Sequence, residues 1–134
     1  MMEDIILEVE NLRTSFATDA GSVQSVRGIT FHVGKGESLG IVGESGCGKS
    51  VTMLSIMGLL EDNASRQADA LLFDGEDLLK KSPKEMRKIQ GNRIGMIFQD
   101  PMTSLNPLFT VGEQIRGPLM RHQKLSRKEA EAKA

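Results

Sequence analysis

An α/β fold is predicted by three features of this 134-residue sequence. Residues 43–50 read Gly-Glu-Ser-Gly-Cys-Gly-Lys-Ser and fit the phosphate-loop pattern G-x-x-x-x-G-K-[ST]. The short apolar run 38–42 precedes this loop as a buried strand would, and the helix-length apolar run 51–60 follows it. Strand, glycine-rich loop and helix in this order are the context that the pattern requires, because the helix N-terminus then faces the bound phosphates.

The loop residues suit a polyphosphate for separate reasons. The glycines allow the backbone N–H groups to turn inward and form a nest for anionic oxygens. Lys49 can supply a positive charge to the β- and γ-phosphates, and the Ser50 hydroxyl can ligate Mg²⁺. Cys47 either fits as a small residue or carries a thiol made reactive by the helix N-terminus. The predicted phosphate contacts are Gly43, Glu44, Ser45, Gly46, Cys47, Gly48, Lys49 and Ser50.

Further strands are predicted on both sides of the loop. Ahead of it, the second half of the run 5–12 alternates apolar and polar side chains, the segment 23–33 contains strand-like alternation, and a turn cluster at 19–22 separates the two. This pattern predicts an antiparallel β patch. Behind the loop, the apolar runs 70–73 and 94–98 predict two more strands, the second of them buried.

Three helix starts follow the capping-box pattern S/T-x-x-E. They are Ser-Pro-Lys-Glu at 82–85, Thr-Val-Gly-Glu at 110–113 and Ser-Arg-Lys-Glu at 126–129. Proline at the first helical position strengthens the first of them. The sequence ends inside the third predicted helix, so we expect residues 1–134 to be the N-terminal portion of one longer domain.

Composition is that of a soluble globular domain. No apolar run approaches membrane-spanning length, and no secretory signal opens the chain. The single cysteine excludes an internal disulfide and indicates a reducing compartment. Residues 1–78 carry 13 acidic and 5 basic side chains, whereas residues 79–134 carry 5 acidic and 12 basic. The basic half is interpreted as solvated helix faces, with contact to anionic lipid or an acidic partner as the alternative.

A complete phosphate-hydrolysing site also needs a carboxylate after a second apolar strand, to hold Mg²⁺. Asp74 and Asp100 both follow apolar runs, but Asp74 stands in an Asp-Gly turn pattern and Gln99 interrupts the run before Asp100. The sequence contains no Asn-Lys-x-Asp pattern for guanine. The catalytic residues therefore stay unassigned, and whether the chain alone is an enzyme is left open.

Phe16, the loop and the stretch 97–107, Ile-Phe-Gln-Asp-Pro-Met-Thr-Ser-Leu-Asn-Pro, together resemble the ATP-binding subunits of ABC transporters. The part from Asp100 onward is particularly similar to the dipeptide, oligopeptide and nickel importer branch. The resemblance implies a P-loop NTPase of the ABC type. We expect its N-terminal part to combine the antiparallel β patch with part of a parallel-sheet core. Strands absent from the sequence would leave a bare edge beside the loop strand, so we expect marginal stability.

The resemblance also assigns roles to single residues. Phe16 lies where the family places an aromatic ring that stacks on adenine. Gln99 matches a glutamine that contacts Mg²⁺ or the attacking water, so Ser50 and Gln99 are the implied metal contacts of an ATP–Mg²⁺ complex. The segment 100–107 corresponds to the surface that meets the membrane permease. Implied partners are the permease subunits and a second ATP-binding subunit, identical or different, at the cytoplasmic face of the membrane. Nucleic acid is not an expected partner.

The sequence departs from the family pattern in several places. It contains no Leu-Ser-Gly-Gly-Gln signature and no metal Asp followed by a catalytic Glu, and His32 and His122 come too early to be the switch histidine. We therefore expect weak binding of Mg-nucleotide and negligible hydrolysis by this chain, within an intact protein that couples ATP hydrolysis to uptake of peptides or a related solute. Two alternatives are a non-catalytic nucleotide- or permease-binding fragment and an ABC ATPase of DNA repair or the ribosome.

Overall fold

The computed structural model describes residues 4–44, 46, 48–100 and 102–134. The chain divides into two compact units, Met1–Met86 and Arg87–Ala134. The first unit holds the sheet and the phosphate loop, and the second holds loops and helices.

A five-stranded sheet dominates the first unit. Its strands are β1 (Ile5–Thr18), β2 (Gly21–Gly34), β3 (Ala64–Gln67), β4 (Ala70–Phe73) and β5 (Glu76–Asp77). The strand order is β2-β1-β4-β5, and β3 pairs with β1 farther along the same edge as β4. All the named pairings are antiparallel, so the predicted antiparallel β patch is confirmed.

The alternation predicted for β1 is interrupted by a bulge. Val9 and Leu12 are both fully buried although they stand three residues apart, because the register with β2 shifts between them. Asn11 takes the extra position with φ 50, its N–H donates to Thr30 Oγ1 at 2.9 Å, and its side-chain amide donates to Asp69 Oδ2 at 3.1 Å. A bulge of this kind moves later residues to the opposite face, which is why Thr14 is buried as well.

Helix α1 (Lys49–Met57) follows the phosphate loop and ends three residues before the end of the predicted apolar run, with Gly58 as its C-cap. Gly58 has φ 69, the left-handed conformation in which glycine typically closes a helix, and its N–H bonds back to Ser55 O. The Arg66 guanidinium on β3 donates to Ser55 O and also, at 3.4 Å, to Leu78 O. Burial lowers the pKa of Arg66 from its usual value. Arg66 therefore joins β3 to the C-terminus of α1.

The remaining helices begin where the capping boxes predict. These are α2 (Pro83–Ile89), α3 (Val111–Gln123) and α4 (Arg127–Lys133), and a 3-10 turn lies at Leu78–Lys80. Reciprocal bonds are present in all three boxes: 82 with 85, 110 with 113, and 126 with 129. Within the second unit, Arg116 on α3 pairs with Glu131 on α4 at 3.1 Å, and Ala130 is fully buried.

Two predicted strands are not formed. Residues 38–42 carry no strand, and Val42 is 94% exposed. In the run 94–98, Ile94 makes an isolated bridge to Gln90, while Ile97 is 99% exposed. A strand needs a hydrogen-bonded neighbour, and neither run has a neighbouring strand among the described residues. Both strand predictions, and the burial predicted with them, are therefore wrong for this structure.

No helix formed by the described residues combines the length and apolar character needed to cross a membrane.

Candidate functional site

The phosphate loop leads directly into α1. Gly43, Glu44 and Gly46 lie in the loop, Gly48 is the N-cap, and Lys49 and Ser50 form the first turn of the helix. The predicted contacts Ser45 and Cys47 lie outside the described residues. Val51 to Met57 continue the helix, so the predicted loop–helix junction is present.

Gly48 fixes where the loop meets the sheet. Its φ is 92, and a Cβ at this position would lie 2.8 Å from Ser25 O and 3.8 Å from Val26 Cγ2, both on β2. Only glycine combines this backbone conformation with so close an approach to a carbonyl. The end of the loop is thereby held directly against β2.

Thr52 holds the same junction from the helix side. Its N–H and its hydroxyl both donate to Gly48 O, at 2.9 and 2.7 Å, and the side chain is almost fully buried. Sequence reasoning missed this residue. Its position four residues after Gly48, on the apolar side of the helix, is the signal that could have identified it.

The N-terminus of α1 fits an anion. No side chain caps it, and its first turn holds no acidic residue. Because the first N–H groups of a helix point out of its end, they provide donors and a partial positive charge to a ligand there. The exposed Ser50 hydroxyl stands in the same first turn.

Lys49 turns back over the loop. Its Nζ donates to Gly43 O and, at 3.3 Å, to Glu44 O. The side chain is half-buried and its charge stays on the loop side of the helix N-terminus. A phosphate on the helix end would therefore meet a cation that already lies at the loop.

Phe16 lies on the same face of the sheet as the loop. Thr14, two residues earlier on β1, contacts Ser55 of α1 through its hydroxyl at 2.6 Å and pairs with Val26 on β2. Residues i and i+2 of a strand share a face, so the Phe16 ring lies on the side that α1 covers. It is half-buried between its partners Val23 and Ala64. The structure thus brings Phe16 and the loop to one face.

Gln99 belongs to the second unit. It is exposed at a bend, directly before a compact series of turns. The Asp100 carboxylate accepts from Met102 N at 3.0 Å, and Asp100 O accepts from Ser104 Oγ at 2.9 Å, so this aspartate organises a turn. Asp74 likewise stands in the Asp-Gly turn between β4 and β5, at φ 50. The turn interpretation of Asp74 is therefore confirmed.

No cluster of three or more His, Cys, Asp or Glu side chains that could hold a metal ion occurs in the described ranges.

A protein-family model described as "ABC transporter" matches residues 26–134. Together with the glycine loop, the uncapped N-terminus of α1 and the antiparallel sheet, this match defines the class of protein. The chain belongs to the ABC transporter family and has its P-loop NTPase fold. The resemblance drawn from Phe16, the loop and residues 97–107 is confirmed at this level.

Relatives named for dipeptide and oligopeptide transport support the resemblance to the peptide-importer branch of this family. The chain is 56% identical over 126 residues to the dipeptide transport ATP-binding protein DppD of Bacillus subtilis, which covers 93% of this chain and 38% of that protein. It is 51% identical over 130 residues to the oligopeptide transport ATP-binding protein OppD of the same organism. The aligned part is 96% of this chain and 36% of that protein. A third relative is the glutathione import ATP-binding protein GsiA of Shigella flexneri, with 47% identity over 135 residues, 96% of this chain and 22% of that protein.

Proposed function

We propose that this chain binds ATP with Mg²⁺ as part of the energising subunit of an ABC importer for peptides or a related small solute. The observation that carries the proposal is the N-terminus of α1. Gly48 holds this N-terminus against β2, no side chain caps it, and Lys49 bonds back across the phosphate loop beside it. Relatives named for dipeptide and oligopeptide transport support the solute class.

The nucleotide would lie between the loop and Phe16. Backbone N–H groups of the loop and α1 would hold the phosphates, and the half-buried aromatic ring would stack on the adenine. Mg²⁺, when bound, neutralises phosphate charge. The Ser50 hydroxyl would ligate it, and Gln99 is the second proposed contact. Glu44, exposed at the loop, contributes its backbone.

The permease is the proposed membrane partner. Turns within residues 102–107 expose Met102 at 87% and Leu105 at 51%, and an exposed apolar surface of this kind suits contact with a protein. Contact with permease subunits would hold the chain at the cytoplasmic face of the membrane. A second ATP-binding subunit would complete the assembly, and residues 1–134 would be the N-terminal portion of the subunit, whose relatives are more than twice as long.

The test is Mg-ATP affinity, measured by calorimetry on the chain and on Lys49→Ala. Removing a charge-assisted contact to phosphate should weaken affinity by roughly tenfold or more. Lys84→Ala is the matched control, since Lys84 is an exposed lysine on another helix. Equal affinity of the chain and Lys49→Ala, or equal losses in both variants, would contradict the proposal.

Hydrolysis is a separate part of the proposal. Asp74 stands in a turn and Asp100 organises one, so we propose that this chain alone turns over ATP negligibly and that hydrolysis needs the intact subunit. A phosphate-release assay checks this. Turnover that matches an intact transporter subunit and is abolished by Lys49→Ala would overturn it.

A further inference from the structure

One side chain organises the loop that precedes α3. Gln114 Oε1 accepts from Asn106 N at 2.7 Å, and Gln114 Nε2 donates to Asn106 O at 2.9 Å. The same Nε2 group reaches Phe109 O at 3.0 Å and Thr110 O at 3.5 Å. Gln114 therefore pairs with both backbone groups of Asn106, much as a neighbouring strand would.

Asn106 in turn forms hydrogen bonds with the backbone of the residues that follow it. Its Oδ1 accepts from Leu108 N at 2.9 Å, and its carbonyl also accepts from Phe109 N at 3.3 Å. The backbone of 106–109 is thus folded around the Gln114 amide group. A carboxamide can pair with both backbone groups of one residue because its N–H donor and its carbonyl acceptor lie side by side in one plane.

The polar bonds lie on the inner side of this loop, and its apolar side chains face outward. Leu105, Leu108 and Phe109 are 51%, 86% and 57% exposed. Residues 105–109 are called the docking loop below. They overlap the end of the segment 100–107 that is proposed to meet the permease and extend it by two residues.

We propose that Gln114 is the positioning residue of the docking loop. It fixes the loop to the first turns of α3, so that the apolar side chains meet the permease in one arrangement and move together with the helix. The docking role rests on the proposed function. Without Gln114, the loop would have to be ordered when it binds, and that ordering weakens affinity.

Gln114 could instead serve only to start helix α3. One substitution distinguishes this structural role from the positioning of the docking loop. The capping box of Thr110 and Glu113 already starts the helix. In Gln114→Glu, a carboxylate retains the acceptor but loses the donor, and it faces three carbonyl oxygens. Another negative charge in the early turns of α3 favours the helix. The bonds between residue 114 and the docking loop should therefore weaken, while helix α3 stays formed.

The first experiment is amide hydrogen exchange on the whole chain, with Gln123→Glu as the matched control. Gln123 lies on the same helix and accepts from Lys133 Nζ at 2.5 Å, a bond that glutamate keeps. Gln114→Glu should raise the exchange rates of the Asn106 and Leu108 amides about tenfold and leave those of residues 115–123 unchanged. Unchanged loop rates, or equal changes in both variants, would overturn the proposal.

The second experiment measures binding to the permease subunits of the same transporter in lipid vesicles. Gln114→Glu should bind about tenfold more weakly than the unaltered chain, and Gln123→Glu should bind equally well. A loosened loop with unchanged affinity would overturn the positioning role alone. No binding by the unaltered chain would overturn the proposed partner and the docking role of the loop with it.

Discussion

The two units of this chain are ordered by different forces. In the first unit, Val9, Leu12 and Leu71 are fully buried in a sheet whose paired residues lie up to 66 positions apart, as Leu7 and Phe73 do. In the described part of the second unit, the buried apolar residues are Ile89 and Ala130, and no residue of α3 is buried. Order there comes from short-range polar bonds: two capping boxes and the Gln114 clamp.

This difference implies that the first unit supplies most of the folding stability, whereas the second unit presents an exposed apolar surface. Burial of apolar area is the main favourable term in folding, and local hydrogen bonds each contribute little. The first unit can therefore hold the loop and α1 in place for a nucleotide. The second unit instead keeps apolar side chains exposed in a defined backbone, as a surface for a partner requires.

The largest expected effect is the loss of a core side chain from the sheet. Leu71→Ala removes a fully buried side chain on β4 and should lower the free energy of unfolding by about 2–5 kcal/mol. Ile97→Ala, at a residue 99% exposed, should change it by less than about 0.5 kcal/mol. Urea unfolding of both variants measures the contrast. Similar losses in both would show that the second unit is also held by apolar burial.

An intermediate effect is expected at the contact between Thr14 and Ser55. Ser55 Oγ donates to Val51 O at 2.6 Å, so the buried Thr14 hydroxyl is the donor in the bond between the two side chains. Ser55→Ala leaves the Thr14 hydroxyl without an acceptor and should lower the free energy of unfolding by about 1–3 kcal/mol. Thr14→Val removes that hydroxyl and should lower the free energy of unfolding by less than about 1 kcal/mol. The double variant should be more stable than Ser55→Ala alone. A larger loss in Thr14→Val would contradict this assignment of donor and acceptor.

The smallest effect is a local response of α3 and α4 to acid. Bonds from the Thr110 and Ser126 backbones hold the pKa of Glu113 and Glu129 below their ordinary 4.5. A carboxyl whose pKa is lowered on folding stabilises the structure above its unfolded pKa and loses that contribution as pH falls through its folded pKa. The protection factors of the amides at the two helix starts, which are corrected for the intrinsic slowing of exchange in acid, should therefore fall below about pH 4.5.

Glu113→Gln with Glu129→Gln is the control for that response. Glutamine keeps the capping geometry without a titrating group. Its helix starts should show no such change with pH. An identical acid response in the control would assign the effect to other residues.

Local features of the fold were predictable, and non-local ones were not. The capping boxes at 82, 110 and 126 were read correctly because donor and acceptor lie three residues apart in sequence. Residues 38–42 and 94–98 were predicted as strands from apolar character alone. Whether an apolar run becomes a strand depends on a remote partner, which five residues cannot specify.

The site divides in the same way. The pattern at 43–50 identified the loop, and the family resemblance pointed to Phe16, which the structure places on the same face. Thr52 and Gln114 carry no motif, and their roles follow from the carbonyls that they reach. The resemblance also pointed to Gln99, whose part in nucleotide binding stays a prediction.

The most direct test of the central claim is a titration of the ¹⁵N-labelled chain with Mg-ATP, followed by NMR. If phosphates bind at the N-terminus of α1, the amide signals of Gly46, Gly48, Lys49 and Ser50 should shift most, because their N–H groups would face the ligand. At equal, sub-saturating nucleotide concentration the same signals should shift much less in Lys49→Ala, because its affinity is expected to be weaker. No shift at these amides, or shifts confined to α3 and α4, would contradict the account.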